Sequence, residues 1–402
     1  MRILVCADEV PLEPTTSGFR RAVSGLVREL GREHDVRVLG FRKPDQRGSP
    51  APPNVRALDW PATGPMAKVW LLGAAVLERR PLRTAELPAL LAAPLREELT
   101  SFDPDVVQVT PARLARLGRM LHGRATVLMA MDAWHLNVRA KAETAGSLRS
   151  AFLRSEERRI RRVAASAYRG FDRVVMSSGD DGEALRRLDP QLSYSVIPIG
   201  VDAAAWQRPR IHDDVSPRIV FHGVMSYPPN VVAAEHLARQ VFPLVKAECP
   251  GSTLAIVGRD PALEVRRLAE LPGVEVTGAV EDVGTWLHGS SAWAGPFLSA
   301  TGIKTKVLEA MSCGLPCVVT PLGGRGLEME QGTEILLGSN EHELARHLID
   351  LLGDPARAAR IGQAARRRVL ETYDWPAVRR AYEQLYEEVI AAHDEGRSAV
   401  GR

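Results

Sequence analysis

Between Ala300 and Thr320 the chain reads Ala-Thr-Gly-Ile-Lys-Thr-Lys-Val-Leu-Glu-Ala-Met-Ser-Cys-Gly-Leu-Pro-Cys-Val-Val-Thr. That order spells a glycine turn, a helix, a Gly-x-Pro stop and a short continuous apolar run. Short unbroken Val/Ile runs, rather than alternations, mark strands buried on both faces of a parallel sheet. A helix feeding such a strand belongs to a right-handed βαβ crossover, which points to an α/β architecture.

The same segment concentrates charge. The 52 basic residues include only six lysines, and two of these, Lys304 and Lys306, fall within one turn. Lysine is a compact point charge suited to phosphate, and a helix start adds unpaired N–H groups and a favourable dipole. Gly302 lets backbone approach a ligand closely. Lys306 and Glu309 stand at i and i+3 and face the same way. Lys304 lies roughly 7 Å along the axis from Glu309, about the span from a diphosphate to the ribose hydroxyls of one nucleotide. Spacing alone leaves two readings open: a nucleotide grip, or a solvated Lys–Glu pair ahead of a buried strand.

The pattern extends along the chain. Strand-like runs are expected at 2–7, 36–39, 55–58, 105–110, 126–130, 172–177 and 193–199, with helices at 18–30 and 153–168. A polar, proline-bounded stretch at 206–217 reads as a linker. The pattern then restarts with runs at 218–223, 252–258, 274–277, 292–297, 315–320 and 334–337, and helices at 230–249, 341–352 and 375–392. The expected organisation is two doubly wound Rossmann-like domains, 1–203 and 204–375, facing a central cleft, with the helix at 376–392 packing back on the first. Residues 394–402 are expected to fray.

Composition narrows the function. A length of 402 residues suits two domains, and 25% charged residues with a net charge of +3 do not indicate nucleic acid as a partner. Cys6, Cys249, Cys313 and Cys317 form no disulfide framework, and no histidine stands at zinc-site spacing, so no metal is expected. The start Met1-Arg-Ile-Leu-Val-Cys-Ala-Asp8 reads as a strand rather than a leader, and a cytoplasmic location is expected. Two segments leave membrane-surface contact open beside a plain structural reading: the apolar run 69–77 flanked by basic residues, and the arginine-rich side of the helix at 153–168.

Taken in order, Phe221-His-Gly-Val-Met-Ser-Tyr-Pro-Pro-Asn230, Ile256-Val-Gly-Arg-Asp-Pro261, Val276-Thr-Gly-Ala-Val-Glu-Asp-Val283, Gly302-Ile-Lys-Thr-Lys-Val-Leu-Glu-Ala-Met311 and Gly314-Leu-Pro-Cys-Val-Val-Thr320 resemble a GT-B glycosyltransferase of glycosyltransferase family 4. Ile199-Gly-Val-Asp202 stands for the family's Asn-Gly-Val-Asp turn, one residue changed. The resemblance implies a nucleotide-sugar donor held by the C-terminal domain, a small-molecule, glycan or lipid acceptor on the N-terminal domain, retention of configuration, and no obligatory metal.

It also implies residue roles. Glu309 matches the acid that holds the ribose. The family's earlier acid falls on Thr301, so the backbone N–H groups of Gly302 and Ile303 are the substitutes. Gly18 matches the first-loop glycine near the donor phosphate, and Gly223 takes a backbone role at the cleft floor. Asp132 or His135 contacts the sugar or takes the acceptor proton, with a helix cap as the alternative for Asp132. Arg259 is either a phosphate contact or a solvated loop residue, and Asn230 is expected to cap its helix. Lys304 and Lys306 meet the departing diphosphate. A nucleotide-sugar epimerase of the same fold and a non-catalytic nucleotide-sugar-binding protein are the rival functions. Gly-x-Gly-x-x-Gly after the first strand, a P-loop and His-Glu-x-x-His are absent from the sequence.

Overall fold

The computed structural model describes residues 1–12, 18–60, 81, 87–143, 145–206, 217–299 and 302–400, with side chains through 395. The chain divides into two compact units. One comprises Met1–Pro198 and Val378–Arg402, the other Ile199–Ala377. The expected linker at 206–217 lies mostly outside the described residues, as do the run 69–77 and Thr301.

The first unit is built on a seven-stranded parallel sheet. Its strands are β1 (Arg2–Ala7), β2 (Asp35–Arg42), β3 (Val55–Asp59), β4 (Val106–Thr110), β5 (Ala125–Met131), β6 (Arg173–Met176) and β7 (Tyr194–Val196). The order across the sheet is β3-β2-β1-β4-β5-β6-β7. The second unit repeats the plan with β8 (Arg218–His222), β9 (Thr253–Val257), β10 (Val274–Gly278), β11 (Ala292–Gly295), β12 (Cys317–Val319) and β13 (Leu336–Leu337). Their order is β10-β9-β8-β11-β12-β13, again all parallel. Both are doubly wound Rossmann-like sheets. Each has a topological switch point, between β1 and β4 and between β8 and β11, where ligands bind outside the strand carboxyl ends in this class.

The buried strands are those whose sequences run apolar without alternation, such as β4 and β5, which are buried along their whole length. Helix ends carry side-chain caps. Ser178, Asp282, Thr320, Asn340 and Asp354 each accept from a backbone N–H in the first turn that follows. The expected helix at 230–249 starts two residues earlier, at Pro228, because proline's missing N–H and fixed φ suit the first helical position. It then passes through a wide turn at Leu237–Val241 before Phe242–Glu248. The last helix runs Trp375–Val400, past the expected end at 392, so the backbone of 394–400 is helical rather than frayed.

Gly200 in the Ile-Gly-Val-Asp turn lies against Trp375, where a Cβ would come within 2.3 Å of the indole. The Val201 N–H donates to the Tyr373 carbonyl at 2.8 Å, and the Trp375 N–H returns to the Val201 carbonyl at 3.1 Å. The turn thus ties the start of the second unit to the segment that leaves it.

Within the first unit the C-terminal helix is bonded to the sheet. Tyr386 donates its hydroxyl to Oε1 of Gln108 on β4, and both side chains are fully buried. Removing one partner of a buried pair costs about 1–3 kcal/mol, whereas removing both can be nearly neutral. Tyr386→Phe is therefore expected to lower stability by that amount in denaturant titration. Adding Gln108→Leu should recover part of the loss, a non-additivity that a double-mutant cycle measures.

Candidate functional site

The second unit's switch point is framed by side chains from three elements. His222 ends β8, Trp293 sits in neighbouring β11, and Glu309 lies on the helix Thr305–Ser312. Trp293 Nε1–H donates to His222 Nδ1 at 2.9 Å, and His222 Nε2 stands 2.8 Å from Glu309 Oε2. Indole nitrogen is a donor only, so His222 Nδ1 must accept. The ring proton is thereby placed on Nε2, which donates to the carboxylate. A carboxylate has about four acceptor positions, and this bond, which takes one of them, fixes its orientation.

One turn earlier on the same helix, Lys306 Nζ donates to Asn230 Oδ1 at 2.9 Å, while Asn230 Nδ2 donates to the Val224 carbonyl at 2.9 Å. Lys306 Nζ also lies 5.5 Å from the Phe297 ring centroid. Asn230 was expected to cap its helix; Tyr227 takes the cap position and Asn230 braces Lys306 instead. Lys304 takes the cap position of the helix Thr305–Ser312 and is 6% exposed, its ammonium turned back to the Gly302 carbonyl. Gly302 has φ +67°, a left-handed conformation that favours glycine. Ile303 packs partly buried against the core.

Gly223 and Gly258 follow β8 and β9 in van der Waals contact. A Cβ on Gly258 would lie 1.7 Å from the Gly223 carbonyl oxygen, and one on Gly223 would press on Asn230 and on Lys306 Cε. Arg259, the next residue, is 54% exposed on its side chain and pairs with Asp260 at 3.3 Å. Thus Gly223, Lys306, Glu309, Gly302, Ile303 and Lys304 all belong to the region around the β8 carboxyl end and the 305–312 helix. Arg259 faces solvent with its own acid.

In the first unit, Asp132 follows β5 directly after Met131, a non-glycine residue at φ +67°. Such positions persist where surrounding structure enforces them. Ser177 Oγ donates to the Met131 carbonyl at 2.7 Å and lies 3.4 Å from Asp132 Oδ1, with Asn137 Nδ2 3.4 Å from the other oxygen. His135 is buried in the first turn of the helix Trp134–Glu143. Burial, then the nearby Arg161 guanidinium, lowers its pKa, so the imidazole is neutral near pH 7. Gly18 opens the helix Gly18–Leu30, and among the described residues nothing lies within 4 Å of its Cβ position.

Comparison with known proteins bears on this geometry. Residues 216–354 match the family of glycosyl transferases group 1. Glycogen synthase of Mycobacterium tuberculosis is 27% identical over 245 residues, 57% of each chain. A GDP-mannose-dependent alpha-(1-6)-phosphatidylinositol monomannoside mannosyltransferase of Mycolicibacterium smegmatis is 30% identical over 152 residues, 34% of this chain and 40% of that one. The match thus spans 57% of the length of the glycogen synthase and 40% of that of the mannosyltransferase. Among solved structures, sucrose-phosphate synthase of Thermosynechococcus elongatus superposes with a TM-score of 0.68 at 18% identity, covering 98% of this chain and 100% of that one. Anabaena HepE, solved in complex with UDP and glucose, gives 0.63 at 16% identity, covering 96% and 100%. Residues 216–354 thus resemble glycosyl transferases group 1, and the fold is that of the GT-B glycosyltransferases.

The chain holds a second cluster, whose residues were not singled out in the sequence. At the first unit's switch point Asp8 follows β1, its N–H bonded to the Thr110 carbonyl at the end of β4. Its carboxylate pairs with Arg113. Glu9 beside it takes Arg20 Nε and Lys43 Nζ, each at 2.8 Å, and Arg20 continues to both oxygens of Asp45 at 2.7 and 3.0 Å. The available signal was an acid pair directly after the first strand, which becomes meaningful only when the strand order puts β4 beside it.

The two acids are driven apart. Burial raises Asp8 to about 6, against the pull of Arg113. Burial also opposes ionisation of Glu9, but the hydrogen bonds from Lys43 and Arg20 outweigh it and hold Glu9 below its ordinary value. Between its ordinary 3.8 and about 6, Asp8 binds a proton more tightly folded than unfolded, so its contribution to stability falls as pH rises through that window. Glu9 contributes in the opposite sense at lower pH. The difference in Tm between wild type and Asp8→Asn, followed from about pH 4 to about pH 6, is expected to move in favour of the variant as pH rises. A constant difference would contradict the burial of an ionisable group there.

Proposed function

We propose that the chain is a retaining glycosyltransferase that moves a hexosyl group from a nucleotide-diphosphate sugar to an acceptor hydroxyl. The observation that carries this reading is the pairing, on one helix, of an acid oriented by a neutral histidine and a lysine braced by an asparagine, both at the β8 switch point. In this reading Glu309 accepts the ribose hydroxyls. Lys306, Lys304 and the N–H groups at the helix start neutralise the diphosphate as it departs, which is where negative charge grows in the transition state. The N–H groups of Gly302 and Ile303 stand in for the acid missing at Thr301. No metal is required by this assignment, because the lysines and amides supply the counter-charge.

The acceptor side is assigned to the first unit. Asp132, held beside a strained strand end and partly exposed, is the group assigned to the incoming hydroxyl; His135 is buried in the first turn of the helix that follows. The relatives named above support a sugar-nucleotide donor, since one is named as GDP-mannose-dependent and another was solved with UDP and glucose. Retention and the absence of a metal requirement rest on the family resemblance.

The test is incubation with a panel of nucleotide sugars. Nucleoside diphosphate release that depends on an acceptor, and that persists in EDTA, is expected. Isomerised donor without release would point to an epimerase, and binding with neither to a non-catalytic protein. Glu309→Ala is expected to weaken donor binding about tenfold, equivalent to about 1.4 kcal/mol, while Glu309→Gln retains more because it still accepts from His222. Lys304→Ala is expected to lower kcat by about a hundredfold with a smaller effect on KM. Unchanged kinetics in both alanine variants would remove the site assignment.

A further inference from the structure

The helix Ser147–Ala167 presents a face that the proposed reaction does not use. Leu153, Glu156, Ile160, Ala164 and Ala167 are its buried stripe. On one flank of that stripe Leu148 is 91% exposed and Phe152 44% exposed. They stand at i and i+4 and so form one apolar ridge near the helix start. Arg158 and Arg162 are exposed on the arc opposite the stripe, between that ridge and the exposed Arg154 and Arg161 on the other flank.

The helix's carboxylates are withdrawn from that arc. Glu156 is buried and lies 3.8 Å from Arg159, and the mostly buried Glu157 lies 3.8 Å from Arg161. Among the described residues, Arg154, Arg158 and Arg162 have no acidic partner. Arg154 and Arg158 also line an open groove of about 650 Å³ with Gly146, Ser147 and Ser150, whose one acid, Glu143, is engaged by Arg139 at 3.3 Å.

We propose that this face docks on the surface of an anionic lipid bilayer. A row of arginines without acids complements lipid phosphates, and two apolar side chains standing out beside it can enter the headgroup boundary. A second copy of the same face would bring like charges together, and the net charge of +3 for the whole chain argues against a general polyanion binder. Among the described residues no helix is long and apolar enough to cross a membrane, so the contact is one of docking. The inference rests on this helix alone and is independent of the donor site.

The experiment is co-sedimentation of the full chain with vesicles of phosphatidylcholine, alone or mixed with phosphatidylglycerol. Binding is expected only to the mixed vesicles and should weaken as salt rises. The triple variant Arg154→Gln, Arg158→Gln, Arg162→Gln is expected to lose roughly a hundredfold in partitioning. Leu148→Ser with Phe152→Ser is expected to lose roughly tenfold. Both variants alter exposed positions, so unchanged melting temperatures establish that they fold. No binding to mixed vesicles, equal binding to both kinds, or binding that survives the arginine changes overturns the proposal. Self-association that the Leu148 and Phe152 changes abolish, without vesicle binding, overturns it in favour of a second copy.

Discussion

Trp293, His222 and Glu309 form a chain of hydrogen bonds whose direction is set at one end by an atom that can only donate. The indole Nε1–H occupies His222 Nδ1, so the other ring nitrogen carries the proton and points at the carboxylate. The three residues belong to β11, β8 and the 305–312 helix, so the chain crosses the switch point and fastens the helix to the sheet. Trp293 is fully buried and His222 nearly so. In that setting a hydrogen bond to a charged group contributes about 1.5–3 kcal/mol, and an unmet partner costs a comparable amount. The acid is therefore held in place before any ligand arrives, a form of preorganisation.

Glycine makes the arrangement sterically feasible. The β8 and β9 exits touch through Gly223 and Gly258, and a side chain at either would collide with its neighbours. Gly223 leaves the space in which Asn230 reaches Lys306. The 305–312 helix in turn is buried along Val307, Leu308, Ala310 and Met311, so its polar positions, Lys306 and Glu309, are left for the side facing the β8 exit. Packing and polar placement are thus the same fact: the apolar stripe decides which way the charged residues point.

That logic explains what was legible in the sequence. Strands buried on both faces leave unbroken apolar runs, and each expected run corresponds to a strand of the structure, differing mostly at the ends. The two sheets follow from those runs and from the right-handed crossover rule. Glu309 and the lysines were visible because helical spacing relates them locally. His222 and Trp293 were not singled out. Each lies inside an apolar run and reads as core, and their contact spans 71 residues of sequence. The role of Asn230 was missed for the same reason: a local reading makes an asparagine near a helix start a cap, whereas the partner that claims it is Lys306, 76 residues away. The helix Ser147–Ala167 begins six residues before the expected start, because its first turn carries exposed Leu148 where the apolar stripe has not yet begun.

The two switch points show how one topology can house different electrostatics. In the second unit the buried histidine is bonded in its neutral form, and the charged groups sit at its edge. In the first, six ionisable side chains, Asp8, Glu9, Arg20, Lys43, Asp45 and Arg113, converge behind β1 and β4. Burying charges is unfavourable unless each is well paired, and the two acids divide accordingly. Glu9 has two cationic donors on separate oxygens and stays ionised, while Asp8 at full burial is served by Arg113 and is pushed upward. Adjacent carboxyls whose environments separate their pKa values occur at functional sites and in structural ion-pair networks alike. The strand order puts this pair at the one edge of the first sheet where a doubly wound fold leaves room for a ligand. The polar turn after the first strand is therefore tied to the sheet's binding edge by topology, not by sequence distance.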